Sequence, residues 1–368
     1  MRVAIDIGPL HGHRTGVGHA VAHIVDHLST DDRVSTTGYL LSYRAHPQPG
    51  QIRLPLPARA ATRIWSRIDR PRADRWLGDV DVVHGTNYTA PPTQRPTVIT
   101  VYDCWFLEHP REANPDVARA GRILRRAVHR GAWIHTSSEA TAQRARALLD
   151  TDRIRAIHLG PPPAITLADA TPPPIADVAS LLDRGFVLAL GTTEHRKRHP
   201  WLVRAMAAAD THAHLVIAGA HGDDSAELHR SLASLPASVR ERVHLLGPVP
   251  VQVKNWLMGH ARTLAYPSLD EGFGFPVLEA HAAGVPVVAS STGSIPEVAG
   301  DAAILVDTHD IDGFAAALTD MCRDGAHREA LIAAGVANLS RFDWTRTVDA
   351  LVALYGEAVN ADTGGHRP

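Results

Sequence analysis

Lysine is almost missing from this 368-residue chain: Lys197 and Lys254 are the only two among 37 basic residues. Arginine and alanine fill their place, as in chains from GC-rich genomes, so each lysine asks for a reason. Cysteine is equally scarce. Cys104 and Cys322 lie far apart and form no metal-ligand or redox spacing, which points to a reduced, cytoplasmic setting. No run of eighteen apolar residues is present, so no segment reads as membrane-spanning. Asp6 breaks the first apolar run, so Met1–Gly8 reads as a strand and not as a signal peptide. Aromatics make up only 5% and no nucleic-acid-binding motif occurs, which disfavours a nucleic-acid partner. What remains is a globular composition, 45% hydrophobic with a net charge of −2, long enough for two domains.

The charge is unevenly shared. Residues 1–180 hold 22 Arg against 17 acidic residues, and the remainder holds 15 basic against 22 acidic. The N-terminal half is therefore the one expected to meet an anionic partner.

Apolar runs alternate with polar, helix-like segments, the pattern of a parallel sheet wound with helices. Strands are expected at 2–7, 36–42, 80–84, 97–101 and 132–136, and helices near 17–29, 115–130 and 139–149. Gly160-Pro-Pro-Pro and Thr171-Pro-Pro-Pro then place six prolines close together, which reads as a stiff extended linker. Beyond it the pattern restarts, with strands expected at 185–191, 214–219, 243–247, 263–267 and 286–290 and a helix at 200–209. The reading is an α/β chain with domains at 1–165 and 179–341, a linker at 166–178 and a last helix at 342–358, with disorder after about 360.

The densest chemistry is Glu271-Gly-Phe-Gly-Phe-Pro-Val-Leu-Glu279. It follows a strand ending at Pro267 and runs into a helix, so Glu271 stands at the carboxyl end of a strand, where open α/β sheets bind ligands. Gly272 and Gly274 lack a Cβ and leave backbone N–H groups, with that of Phe273 between them, open to close approach. Two carboxylates can accept from hydroxyls and bare amides can hold anionic oxygens, which together describe a nucleotide sugar. The bland reading is a strand-turn-helix with a carboxylate on the helix dipole.

Gly191-Thr-Thr-Glu-His-Arg-Lys197 also begins where a strand ends. Arg196 and Lys197 there would set positive charge at the positive end of a helix, which is unfavourable without an anion. A departing diphosphate supplies one.

The Glu-x7-Glu spacing around Gly-Phe-Gly resembles the donor-site signature of the retaining family 4 (group 1) glycosyltransferases, and Gly191–Lys197 resembles their diphosphate motif. The resemblance extends over most of the chain and is densest from Gly185 to Val306, including Ser290–Asp301. It implies the GT-B architecture: two doubly wound Rossmann-like domains facing across a cleft, with the helix from Phe342 crossing back onto the first. It implies that Glu279 holds the ribose hydroxyls, that Glu271 with the amides of Phe273 and Gly274 holds the transferred sugar and phosphate, and that the loop at Gly247 packs against the nucleobase. Retention of configuration follows, and the mannosyltransferase-like form of the Gly191–Lys197 motif tilts the donor towards GDP-mannose over UDP-sugars. The donor would be a nucleoside diphosphate sugar and the acceptor a hydroxyl, lipid-linked in one version.

Other positions are weaker. Gly16 and Gly18, in Arg14-Thr-Gly-Val-Gly18, match the family's glycine-rich loop beside the donor phosphates, or form a tight turn. Tyr102-Asp103 stands where the family commonly has His-Asp, so Tyr102 takes the place of the histidine as an acceptor-side candidate and Asp103 is retained as an acceptor-side or orienting group. His84 ends a strand and is equally an acceptor contact or a structural histidine. Ser138-Glu139 matches a family Ser-Glu or serves as a helix cap. Asp79-Val-Asp81 and Asp310-Ile-Asp312 fit an Asp-x-Asp metal pattern, but an Arg-Lys pair is the alternative way to neutralise a diphosphate, so neither a catalytic metal nor a cofactor is expected. The helix at 116–130 is amphipathic, with Ile123, Leu124, Ala127 and Val128 opposite five arginines. It reads as a helix docked on a core, with peripheral membrane contact as the second reading. The same ligand-binding residues would serve a nucleotide-sugar hydrolase or epimerase, or a non-catalytic binding protein.

Overall fold

The computed structural model describes residues 1–11, 16–110, 115–163 and 165–364. The chain divides into two compact units, one formed by Met1–Gly160 with Phe342–Pro368 and the other by Pro161–Arg341.

The first unit is built on seven strands: β1 (Arg2–Asp6), β2 (Ser35–Leu41), β3 (Ile52–Leu54), β4 (Val82–Gly85), β5 (Thr97–Val101), β6 (Trp133–Thr136) and β7 (Ile154–Ala156). Their order is β3-β2-β1-β4-β5-β6-β7, and every pairing is parallel. Central strands buried on both faces need apolar residues at every position. Val3, Ala4 and Ile5 accordingly have no exposed surface, and neither do Val98 and Ile99.

The helix Pro115–His129 buries Ile123, Leu124, Ala127 and Val128. Arg126 and Arg130 on its other side pair with Asp69, and Arg125 donates to the Leu148 carbonyl at 2.6 Å. Of the two readings of 116–130, these contacts fit the helix docked on a core, with its four apolar residues inside.

The last helix, Trp344–Gly364, belongs to this first unit. Trp344, Val348, Leu351, Tyr355 and Ala358 are buried at three- and four-residue spacing, which is one helical face. Trp344 stacks on His23 and His27, with ring centroids 5.1 and 5.2 Å away. Helix continues past 360 to Gly364, where the sequence suggested disorder.

The second unit has six parallel strands: β8 (Phe186–Leu190), β9 (His214–Ala218), β10 (Val243–Gly247), β11 (Thr263–Tyr266), β12 (Val287–Ser290) and β13 (Ile304–Val306). Their order is β10-β9-β8-β11-β12-β13. The proline-rich stretch is irregular, as its lack of N–H donors requires, yet it is packed on this unit. Ile165, Ala170, Ile175 and Val178 lie against the core that includes Leu181, Trp256 and Leu257, and Thr171 N–H reaches the Gln252 carbonyl at 3.3 Å. The expected linker at 166–178 thus falls inside the second unit.

Candidate active site

In the second sheet the chain winds from β8 outward through β9 and β10, then returns to β11 on the other side of β8. The loops after β8 and β11 diverge at this switch point, where an open parallel sheet leaves a ligand crevice. The Arg196-Lys197 segment follows β8 and the Glu271 segment follows β11.

Tight backbone packing sets the first segment. Gly219 lies so close to the turn after β8 that a Cβ there would stand 1.9 Å from the Gly191 carbonyl oxygen. His195–Lys197 form a single 3-10 turn, anchored where His195 N–H reaches Asp223 at 3.0 Å. Arg198, with a φ of 55°, redirects the chain into the helix His199–Ala208.

These turns bring both cations onto one carboxylate. Lys197 Nζ donates to Glu271 Oε1 at 2.5 Å and to Tyr266 Oη at 3.0 Å, and lies 4.8 Å from the Tyr266 ring centroid. Arg196 reaches Glu271 Oε2 and the Asp270 carbonyl at 3.4 Å each, while its Nε is held by Glu194 at 2.9 Å. Burial works against the charge on Glu271, but Lys197 and then Arg196 outweigh it and hold the carboxyl below its usual value. Lys197 is pulled down by burial and by repulsion from Arg196, with Glu271 opposing. Tyr266 is raised well above a free phenol by burial and then by Glu271, so its hydroxyl stays a neutral partner for the ammonium.

The loop after β11 is held from below. Ser294 donates to the Glu271 carbonyl from its N–H at 3.1 Å and from its hydroxyl at 2.9 Å. Gly293, at φ 58°, sits where a Cβ would be 2.9 Å from the backbone N and O of Glu271. Gly274 adopts a φ of 97° and opens the helix Phe275–Ala282, as a residue without a Cβ can. Gly272, Phe273 and Gly274 are all buried.

Glu279 lies five residues into that helix, and Lys254 Nζ donates to its Oε1 at 2.8 Å. Gly247, at φ 66°, accepts the Gly219 N–H at 2.9 Å and ends β10 two turns of chain before Lys254. Tyr266, Ser294 and Lys254 were not read as site residues from the sequence. The available signals were the position of Tyr266 at the strand end, the small-residue run at Ser290–Ser294, and the rarity of lysine.

In the first unit the candidates divide. Asp103 accepts from Tyr88 Oη at 2.8 Å and from Trp105 N–H at 3.2 Å, and remains partly exposed. Tyr102 beside it is 7% exposed, and its hydroxyl has no hydrogen-bond partner among the described residues. Of the two readings of His84, acceptor contact or structural histidine, its surroundings fit the second. It is fully buried, with Nδ1 on Tyr355 Oη at 2.7 Å and Nε2 on Thr100 Oγ1 at 2.8 Å. Thr100 passes the chain to His135 at 2.9 Å. Ser138 is likewise a cap: fully buried, it accepts from Thr141 N–H at 3.2 Å at the start of the helix Glu139–Leu149. Glu139 pairs with Arg146 at 2.7 Å on a half-exposed face. Gly16 and Gly18 form the first turn of the helix Gly16–Ser29, and Arg14 lies outside the described residues. Of the Asp-x-Asp patterns, Asp79 and Asp81 pair with Arg2, and Asp310 caps the helix Ile311–Cys322 through Gly313 N–H.

Two Rossmann-like parallel-sheet units and a long C-terminal helix define the GT-B class of glycosyltransferase. Residues 184–324 match the family described as Glycosyl transferases group 1. The chain is 31% identical to the O-antigen chain mannosyltransferase B of Escherichia coli, over 78% of its own length and 79% of the relative's. It is 36% identical to the D-inositol 3-phosphate glycosyltransferase of Salinispora tropica, over 49% of this chain and 40% of that one. The solved sucrose-phosphate synthase of Thermosynechococcus elongatus superposes with a TM-score of 0.72 at 18% identity, covering 98% of this chain and 99% of that one. The chain belongs to the group 1 glycosyltransferases and is an enzyme of that family. No helix among the described residues is long and apolar enough to cross a membrane.

Proposed function

We propose that this enzyme transfers a hexose, mannose before others, from a nucleoside diphosphate sugar to a hydroxyl of a growing glycan, with retention of configuration and without a catalytic metal. The observation that carries the reading is the convergence of Arg196 and Lys197 on Glu271 at the switch point of the second sheet. A diphosphate approaching there meets two cations on a short, braced turn, and charge developing as it departs is what such a pair stabilises. Glu271 and the buried Gly272–Gly274 backbone would receive the sugar and phosphate, and Glu279 the ribose hydroxyls. The departing phosphate takes the acceptor proton, since no side chain at this site is an evident covalent nucleophile. Mannose is preferred on the mannosyltransferase relative, whose name also suggests a glycan-chain acceptor.

The test follows release of nucleoside diphosphate from GDP-mannose and common UDP-sugars, with saccharide acceptors and with or without chelator. Acceptor-dependent release from GDP-mannose that persists in chelator is expected, with an α-linked product by NMR. Release that ignores the acceptor would make the chain a hydrolase, and loss of release in chelator would overturn the metal-free mechanism.

A further inference from the structure

We propose that Lys254 is a positioning residue of the nucleotide site. It holds Glu279 by one carboxylate oxygen so that the other stays open to the vicinal hydroxyls of a ribose. The inference rests on the assignment of Glu279 to the ribose made above.

Three observations lead to it. The first is geometric: Lys254 Nζ contacts Oε1 at 2.8 Å, and Oε2 has no hydrogen-bond partner among the described residues. The side chains are 32% and 17% exposed, so the pair is sheltered yet reachable. The second is electrostatic. Lys254 occupies the first turn of the helix Val251–His260, with its N–H on the Pro250 carbonyl. A cation in the first turn opposes the helix dipole, so this position is costly unless the ammonium has an anion to hold. The third is compositional. In a chain that otherwise uses arginine, both lysines pair with the two glutamates of one nonapeptide: Lys197 with Glu271 and Lys254 with Glu279. A guanidinium fork tends to occupy both oxygens of a carboxylate, whereas an ammonium is a point charge that takes one. Lysine is therefore the side chain that can brace Glu279 and still leave it an acceptor. Lys254 also stands seven residues beyond Gly247, so one short segment links the loop assigned to the base with the carboxylate assigned to the sugar.

Calorimetry with GDP and UDP, each beside its 2′,3′-dideoxy counterpart, separates the possibilities. The wild-type enzyme should bind the ribose form about tenfold or more tightly, the worth of hydrogen bonds to a charged acceptor. K254M should bring that ratio to within about threefold while affinity for the dideoxy form and the melting temperature stay put. K254R should lose the preference as well, because its fork covers the open oxygen. A wild-type ratio in K254M overturns the inference, and so does an equal loss of affinity for both forms. A wild-type enzyme with no preference for ribose instead sinks the assignment of Glu279 to the ribose, and this inference with it.

Discussion

Lys197 and Glu271 are 11% and 8% exposed, and this decides how their substitution must be read. Removing one partner of a buried ion pair strands the other, so Lys197→Met alone would mix a stability effect with a catalytic one. Arg196 remains 3.4 Å from Glu271 and limits the damage, so a stability loss of about 1–3 kcal/mol is expected. Turnover should fall far more, by about 10²–10³-fold, as when one preorganised donor to a developing anion is lost. The double variant K197M/E271Q removes both charges together. It should recover most of the melting temperature and none of the turnover. Urea melts and initial rates on the three proteins check this, and recovery of turnover in the double variant would remove Lys197 from the chemistry.

At the scale of elements, the helix Trp344–Gly364 joins the first unit although it is last in sequence. Gly160 makes room for it: a Cβ there would stand 2.3 Å from the Trp344 ring. Thr347 Oγ1 also donates to the His158 carbonyl at 2.8 Å. Trp344→Ala should cost about 3–5 kcal/mol, the usual penalty for emptying a buried aromatic site. Limited proteolysis of W344A should then cut within residues 1–160 while a fragment near 161–341 survives, and an unchanged pattern would show the helix to be dispensable. The same elements show what was legible in the sequence. Long apolar runs such as Phe186–Leu190 announced themselves as buried strands. The three-residue strands β3, β7 and β13 did not, because so short a segment carries no periodicity. Glu271, Arg196 and Lys197 were legible as polar residues in glycine-containing segments after strands, and Glu279 by its spacing from Glu271 in the helix that follows. Nothing in linear order ties Tyr266 to Lys197, or Tyr355 to His84 across 271 positions. Those pairings exist only once the strand order does.

The whole molecule has an acid-sensitive design whose effect falls unequally on its units. His84 and His135 in the first unit, and His199 and His281 in the second, are almost fully buried. Burial, the largest cause each time, lowers their pKa values to about 3, 4, 4 and 4 from 6.5. The native state keeps these rings neutral where the unfolded chain takes up protons. Their contribution is therefore complete above pH 6.5 and is lost as pH falls towards 4, at about 1.4 kcal/mol per group per pH unit. In the first unit Asp6 opposes this. Burial pushes its carboxyl up to about 6, so the native state gains a proton between pH 6 and 4 that the unfolded chain does not, which offsets about one histidine. In the second unit burial also raises the carboxyl of Asp224, but that residue is only partly buried and its offset is weaker. Partly buried histidines add to the loss in both units, His214 and His244 in the second and His23 in the first, each lowered chiefly by burial. Residues 161–341 should then lose roughly 3 kcal/mol per pH unit from His199 and His281, more than the first unit loses once Asp6 offsets one of its two buried histidines. Against a domain stability of about 5–15 kcal/mol, that loss brings the second unit near its threshold by about pH 4.5. Hydrogen exchange read by mass spectrometry at pH 4.5 and 7.5 is the check. After correction for intrinsic exchange rates, β8, β9 and β11 should lose protection at pH 4.5 while β1, β4 and β5 retain more of theirs. Equal loss in both sheets, or earlier loss in the first, would mean that Asp6 provides no compensation.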